Sequence, residues 1–278
     1  MPGDGHVHSE WSWDTWVGDM VGSCVRAVEL GLPAIAFTEH LDHTVWRIAL
    51  EGPYALETLL SVADADGMLT PPPFDAAGYL AAVERCRERF PQLRILTGAE
   101  LGEPHRHAGQ IARVLSAGRF DLLLGSLHTL RDGDVYAEPW GIYPHRDAHE
   151  VMREYLAGVV EMVSVDGVFE VVAHIDYPVR SWPAERGPFD PVVFEDEFRW
   201  ALRATARSGR ALELNTRLPL HATILTWWYE EGGEAVTFGS DAHLPSSVGH
   251  GFAEAAQMAE AHGFRAGRDP YDLWRRVG

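Results

Sequence analysis

One pattern constrains this chain more than any other. A short β-rich run is followed by an amphipathic stretch of helical period, and the pair recurs seven times. The runs fall at 5–9, 34–40, 94–100, 121–128, 168–175, 211–216 and 235–241. The amphipathic stretches follow at 15–31, 75–90, 107–118, 146–164, 191–209, 221–232 and 252–263. In the second of these, Asp75 has the chemistry of an N-cap, and Tyr79, Leu80, Val83 and Cys86 share one helical face. The runs Leu122-Leu123-Leu124 and Val171-Val172-Ala173 are apolar without alternation. Strands of that kind are covered on both faces, which indicates a parallel sheet. Strands alternating with helices over 278 residues, without a break in composition, predict an α/β fold. The expectation is one closed or nearly closed barrel forming a single domain over residues 1–278.

Three connections are long, at 41–74, 129–145 and 177–190, and each follows a strand. In a (β/α) barrel all three would lie on the face where the strands end. They carry Trp46, Tyr54, Tyr136, Trp140, Tyr143 and Trp182, a content that suits lids or binding loops.

That face also carries the chemistry. Every run ends in a group able to bind a metal or to hydrogen-bond strongly. The first gives His6-Val7-His8, with Asp14 a few residues on, and the second gives Glu39-His40. The third gives Gly98-Ala99-Glu100, the fourth Gly125-Ser126-Leu127-His128, and the fifth His174-Ile175-Asp176. The sixth gives Glu213-Leu214-Asn215, and the seventh Ser240-Asp241-Ala242-His243. A parallel barrel brings such ends together at one mouth. Imidazoles and carboxylates buried at the ends of apolar strands are costly unless paired, and a cation removes that cost. In His6-x-His8 the two side chains share one strand face, so both can reach one metal. Asp241-x-His243 could do the same, or the pair could diverge to two metals. Of the remaining histidines, His105 and His107 are expected in a solvated loop beyond Pro104, and His250 and His262 on the surface near the last helix.

Composition narrows the partners. Acidic residues outnumber basic ones 41 to 23, for a net charge of −18, and all the basic residues are arginine. Phosphate backbones repel such a chain, so no stable nucleic-acid binding is expected. Two cysteines, Cys24 and Cys86, cannot build a disulfide framework. No apolar run approaches a membrane span, and the N-terminus lacks the basic and apolar regions of a signal peptide, so a soluble cytoplasmic protein is expected. The oligomeric state is not legible.

Taken in order, Gly5-His6-Val7-His8-Ser9, Thr38-Glu39-His40, Gly98-Ala99-Glu100, Gly125-Ser126-Leu127-His128, Ala173-His174-Ile175-Asp176 and Gly239-Ser240-Asp241-Ala242-His243 resemble the PHP (polymerase and histidinol phosphatase) superfamily. Length, spacing and Leu212-Glu213-Leu214-Asn215-Thr216 are similar to its stand-alone histidinol-phosphatase branch. The resemblance implies a distorted (β/α)7 TIM-like barrel with a trinuclear metal centre. It assigns His6, His8, Glu100 and Asp241 to one metal. Glu100, bridging, with His128 and His174 would hold a second, and Asp14, His40 and His243 a third. Such nitrogen and oxygen ligands suit zinc, manganese or iron.

The reaction so implied is phosphomonoester hydrolysis by a hydroxide shared between metals, with L-histidinol phosphate, a small-molecule intermediate of histidine biosynthesis, as the expected substrate. Asp241 and His243 are the candidates for proton transfer. Arg180 is the first choice for holding the phosphate and Arg217 the second. Glu10, Asp42 or Glu103 could pair with the substrate's amine. Two alternatives stay open: a phosphoesterase acting on nucleotides, nucleoside bisphosphates or oligonucleotide ends, and a non-catalytic metal-binding barrel.

Overall fold

The computed structural model describes residues 1–50, 57–269 and 271–277; Tyr54, one of the expected loop aromatics, lies outside them. Seven parallel strands stand side by side in chain order: β1 Asp4–Val7, β2 Ala34–Leu41, β3 Arg94–Gly102, β4 Leu122–Ser126, β5 Val171–Val172, β6 Ala211–Asn215 and β7 Ala235–Gly239. Two short antiparallel strands, β8 Phe264–Arg265 and β9 Trp274–Arg276, extend the sheet beyond β7. The principal helices are α1 Met20–Leu30, α2 Ala76–Arg89, α3 Pro104–Leu115, α4 Ala148–Ser164, α5 Glu195–Arg207, α6 Ala222–Glu230 and α7 Phe252–Ala261. Strands and helices alternate along the chain as the sequence predicts. The fold is mixed α/β with a curled sheet, and no helix among the described residues is long and apolar enough to cross a membrane.

Curling brings the first parallel strand to the last. Asp241 N donates to His6 O at 2.8 Å, and His8 N donates to Ala242 O at 2.9 Å. The buried Asp4 carboxylate fastens this seam by accepting from Ser240 N at 3.0 Å, Ser240 Oγ at 2.6 Å and Gly249 N at 2.9 Å. The strands approach closely: a side chain at Gly5 would press on Thr237 and the Phe238 carbonyl, and one at Gly239 would run into Glu213 and His6.

The pleat sorts side chains between two environments. Ile35, Phe37, Ile95, Leu101, Leu123, Leu212, Leu214, Val236 and Phe238 face the helices in the main core, with Tyr155, Phe198 and Trp228 from α4, α5 and α6. Their neighbours Leu124, Val171, Ala173, Ala211 and Ala235 form a separate cluster on the opposite face. By the same alternation His6, His8, His40, Glu100 and His128 lie on that inner face, near or beyond the strands' carboxyl ends, with Glu213 at the middle of β6. Tyr79 ties α2 to the sheet: its hydroxyl donates to Phe37 O at 2.6 Å and accepts from Gly98 N at 2.8 Å.

Several boundaries differ from the sequence expectation. The run expected at 168–175 keeps strand geometry only over Val171–Val172, because the backbone turns at His174, where φ is +22°, into a 3-10 segment Tyr177–Ser181. The helix expected from 15 starts at Met20, where Asp19 caps it by accepting from Gly22 N. His105 and His107 are not in a solvated loop. Pro104 occupies the first helical turn of α3, as its fixed φ allows, and both histidines are half-buried there. His250 is exposed as expected, but His262 is half-buried: Nδ1 meets Met258 O at 2.7 Å and Nε2 meets Thr226 Oγ1 at 3.1 Å.

The first two long connections meet in a second sheet of four short strands. Its order is Met68–Leu69, Trp46–Arg47, Val135–Ala137, Leu130–Asp132. It sets Trp46 against Trp140, ring planes nearly perpendicular and centroids 6.1 Å apart, beside the mouth of the main sheet.

Candidate metal centre and substrate pocket

Side chains spread over more than 230 residues converge at that mouth. His6 Nε2 and His8 Nε2 lie 3.0 Å apart, and Glu100 Oε2 is 3.3 and 3.5 Å from them. Asp241 Oδ1 stands 3.4 Å from His8 Nε2 and 4.0 Å from His6 Nε2. On the other side of Glu100, its Oε1 lies 3.1 Å from His128 Nε2 and 2.7 Å from His174 Nε2. A third group gathers around Asp14 Oδ2, 3.4 Å from His40 Nε2 and 3.1 Å from His243 Nε2. All nine expected ligand residues therefore meet in one cluster, and Glu100 stands between two subsets. Asp42, expected near the substrate amine, is instead part of the cluster, 3.4 Å from His40 Nδ1 and 3.6 Å from His128 Nδ1.

The electrostatics suit a cation. Burial raises the pKa of Glu100, but His6, His128 and His40 more than offset it and hold the carboxyl well below its ordinary range. Asp14, despite burial, is held low by His40 and His243, and Asp241 by Arg180 and His6. Conversely, burial pulls the imidazoles down, yet Glu213, Glu100 and Asp241 hold His6 well above its usual value, and Asp14 and Glu100 hold His40 up at about 10. The cluster thus balances buried carboxylates with protons on its own imidazoles, a role divalent ions fill when these side chains ligate them. His8 is the exception: burial and its neighbours His40 and His243 push it down to about 3, leaving the neutral form a metal needs. His40 Nδ1 makes no well-aligned hydrogen bond although Glu100 Oε2 lies 3.2 Å and Asp42 Oδ2 3.4 Å away, as donors gathered around a shared cation would. His174 and Asp241 reach the cluster from left-handed backbone, with φ of +22° and +51°. Bulky side chains rarely hold that conformation away from functional sites.

A surrounding layer fixes the rings. His6 Nδ1 lies 2.7 Å from Glu213 Oε1, whose Oε2 accepts from His174 N at 2.8 Å. His8 Nδ1 lies 3.0 Å from Ser12 Oγ, and Ser12 donates to Glu39 Oε2 at 2.6 Å. Glu103 Oε1 accepts from His128 N at 2.8 Å and Thr129 N at 2.9 Å. Glu213, Glu39 and Ser12 are not among the site residues expected from the sequence. Their signal is a polar residue within an otherwise apolar strand, or in the segment that follows one.

Above the cluster lies a cavity of about 530 Å³, a size suited to a small ligand. Arg180 and Arg217 line it. Arg180 Nη2 donates to Asp241 Oδ2 at 2.5 Å, and Arg217 Nη1 lies 3.5 Å from Asp241 Oδ1 and 3.2 Å from His243 Nδ1. Arg180 is the more enclosed, with side-chain exposures of 20% and 51% for the two. Glu10, expected near the substrate, is exposed and accepts from Met20 N at 2.7 Å at the start of α1, because a carboxylate satisfies a free helical N–H there.

An α/β chain with a histidine–carboxylate cluster at the carboxyl ends of its strands belongs to the class of metal-site proteins built on curled parallel sheets. The PHP domain model matches residues 4–217, most of the chain, and the chain belongs to that family. It is 26% identical to a histidinol-phosphatase of Lactococcus lactis over 250 residues, which cover 87% of this chain and 84% of that protein. It is 25% identical to a probable histidinol-phosphatase of Clostridium acetobutylicum, over 92% of each. Among solved structures, the Lactococcus lactis histidinol phosphate phosphatase complexed with zinc, L-histidinol and phosphate superimposes with a TM-score of 0.78, at 22% identity and 98% coverage of each chain. A putative histidinol phosphatase of Listeria monocytogenes gives a TM-score of 0.69 at 18% identity, over 91% of this chain and 99% of that one.

Proposed function

We propose that this protein is a metal-dependent phosphomonoesterase that hydrolyses L-histidinol phosphate to L-histidinol and phosphate, a cytoplasmic step of histidine biosynthesis. The observation that carries the reading is the pairing of a nine-residue histidine–carboxylate cluster with Arg180 and Arg217 at one pocket, in a chain similar along nearly its whole length to a histidinol-phosphatase and a probable one. The seven parallel strands, joined through the β1–β7 seam, form in this reading one distorted barrel and one domain.

In this reading the donors hold three ions: His6, His8, Glu100 and Asp241 one; Glu100, His128 and His174 a second; and Asp14, His40 and His243 a third. Zinc, manganese and iron all accept such ligands. When bound there, divalent ions supply an acidified water and positive charge for the phosphoryl oxygens. Arg180 and Arg217 orient the phosphate, the guanidinium fork matching its oxygens. Asp241 is buried, but Arg180 and His6 keep it ionised, so it suits ligation. His243, half-buried at the pocket edge, completes the third set, and the proton that the leaving oxygen needs comes from water.

The test is a phosphatase screen of metal-quantified protein against histidinol phosphate, nucleoside bisphosphates and short oligonucleotides, with and without chelator. Chelator-sensitive turnover of histidinol phosphate above the others is expected. Turnover of a nucleotide with none of histidinol phosphate overturns the reading.

A further inference from the structure

None of the three carboxylates expected to meet the substrate's amine is open to it. Glu10 caps α1. Asp42 sits among His40 and His128 and accepts from Trp13 Nε1 at 3.0 Å. Glu103 is buried, with Oε1 taken by two backbone amides and Oε2 accepting from Thr44 Oγ1 at 2.6 Å. A fourth carboxylate lines the same cavity and belongs to no ligand group. Glu138, at the end of the small sheet, accepts through Oε2 from Tyr177 OH at 3.1 Å and from Trp140 Nε1, while Oε1 has no hydrogen bond among the described residues.

Its setting gives the cavity two poles. The Tyr177 ring lies 5.2 Å from that of His128 and 5.0 Å from that of His174, and the Arg180 guanidinium rests 5.1 Å from the same ring. Tyr177 therefore stands between the phosphate end of the pocket and Glu138, its hydroxyl reaching the carboxylate. A ligand with its phosphate at Arg180 extends its organic half past this ring, between aromatic walls, toward Glu138 Oε1.

We propose that Glu138 is a specificity-determining residue that pairs with a cationic nitrogen in the organic half of the phosphate ester, with Trp140 and Tyr177 holding its carboxylate in place. This rests on the phosphomonoesterase reading above and adds the group that selects the alcohol. A half-buried carboxylate beside tryptophan and tyrosine is costly to keep ionised, and burial pushes Glu138 up to about 7. A ligand ammonium or imidazolium offsets that cost, and the aromatic faces beside it favour the same charge. A neutral alcohol offers no such gain.

The experiment compares the metal-loaded wild type with Glu138→Gln on L-histidinol phosphate and on phenyl phosphate, whose organic half is uncharged. The preference for histidinol phosphate in kcat/KM should fall about 10- to 100-fold in the variant, through KM, as expected for losing one charge-assisted hydrogen bond. Calorimetry should show L-histidinol binding weakened by a similar factor and inorganic phosphate binding within about twofold. An unchanged preference overturns the proposal, as does a parallel loss of phosphate binding, which would mark Glu138 as merely shaping the site. A wild type inactive on histidinol phosphate that still prefers 2-aminoethyl phosphate over phenyl phosphate, with that preference lost in Glu138→Gln, overturns the named substrate and upholds the role of Glu138.

Discussion

Glu213 Oε1 lies 2.7 Å from His6 Nδ1, and both side chains are wholly buried. An ionised carboxylate there places the proton on Nδ1 and leaves Nε2 as the lone-pair donor, aimed at Glu100 and His8. The same carboxylate holds the His174 backbone where the chain turns out of β5. One residue on β6 thus orients donors from β1 and β5. Glu213→Gln should weaken metal binding about 10- to 100-fold, the usual cost of losing the partner behind a ligating histidine. Metal titration followed by activity measures it, and excess metal should restore much of the turnover. A variant with wild-type metal affinity contradicts the assignment.

His8 and Glu100 test the cluster itself. His8→Ala removes the imidazole that its surroundings keep neutral, and Glu100→Ala removes the carboxylate shared by two ligand subsets. Each should lower the bound metal per chain, read by elemental analysis, and take hydrolysis to background. Glu100→Ala should do more damage, because His6, His40 and His128 then lose the charge that balances them. Wild-type turnover in either variant refutes the site.

Much of this was legible because the strands announce it. His6-x-His8 and Asp241-x-His243 sit at the ends of apolar runs, and a parallel order in chain sequence carries those ends to one rim. The boundaries that misled were tertiary. The run at 168–175 is apolar enough for eight strand residues, but the ladder stops at Val172 because His174 turns toward the cluster. Pro104 marked a loop in the sequence and a helix start in the fold. Carboxylate roles were the least legible. Glu10, Asp42, Glu103 and Glu138 are equivalent letters in loops, and only three-dimensional pairing shows that the first three are engaged and the fourth faces the cavity.

Arg180 and Arg217 should differ in weight. Both approach Asp241, but Arg180 is enclosed and packed on Tyr177, whereas Arg217 is half exposed. Water screens the second more strongly. Arg180→Gln should raise KM for the phosphate ester about 10- to 100-fold, and Arg217→Gln less than about 10-fold. Steady-state kinetics on both variants, with bound metal verified, decides the order. Equal effects, or the reverse ranking, contradict it.

Away from the site, Asp121 gives a stability prediction with a defined sign. It sits before β4, where Oδ2 accepts from Thr97 N at 3.2 Å, Thr97 Oγ1 at 3.0 Å and Arg87 Nη2 at 2.9 Å. Partial burial raises its pKa, but these hydrogen bonds and the Arg87 charge outweigh burial and leave the carboxyl below its ordinary value. The native state therefore binds the proton less readily than the unfolded chain, whose aspartates titrate near 4. Its contribution is present above about pH 4 and is lost as pH falls through the lower native value. Asp121→Asn should cost about 1–2 kcal/mol at neutral pH by leaving Arg87 and the Thr97 donors poorly matched. The gap between wild type and variant in denaturant unfolding should narrow steadily below about pH 4. A gap that stays constant down to pH 2 would show that the effect is steric and owes nothing to the carboxylate charge.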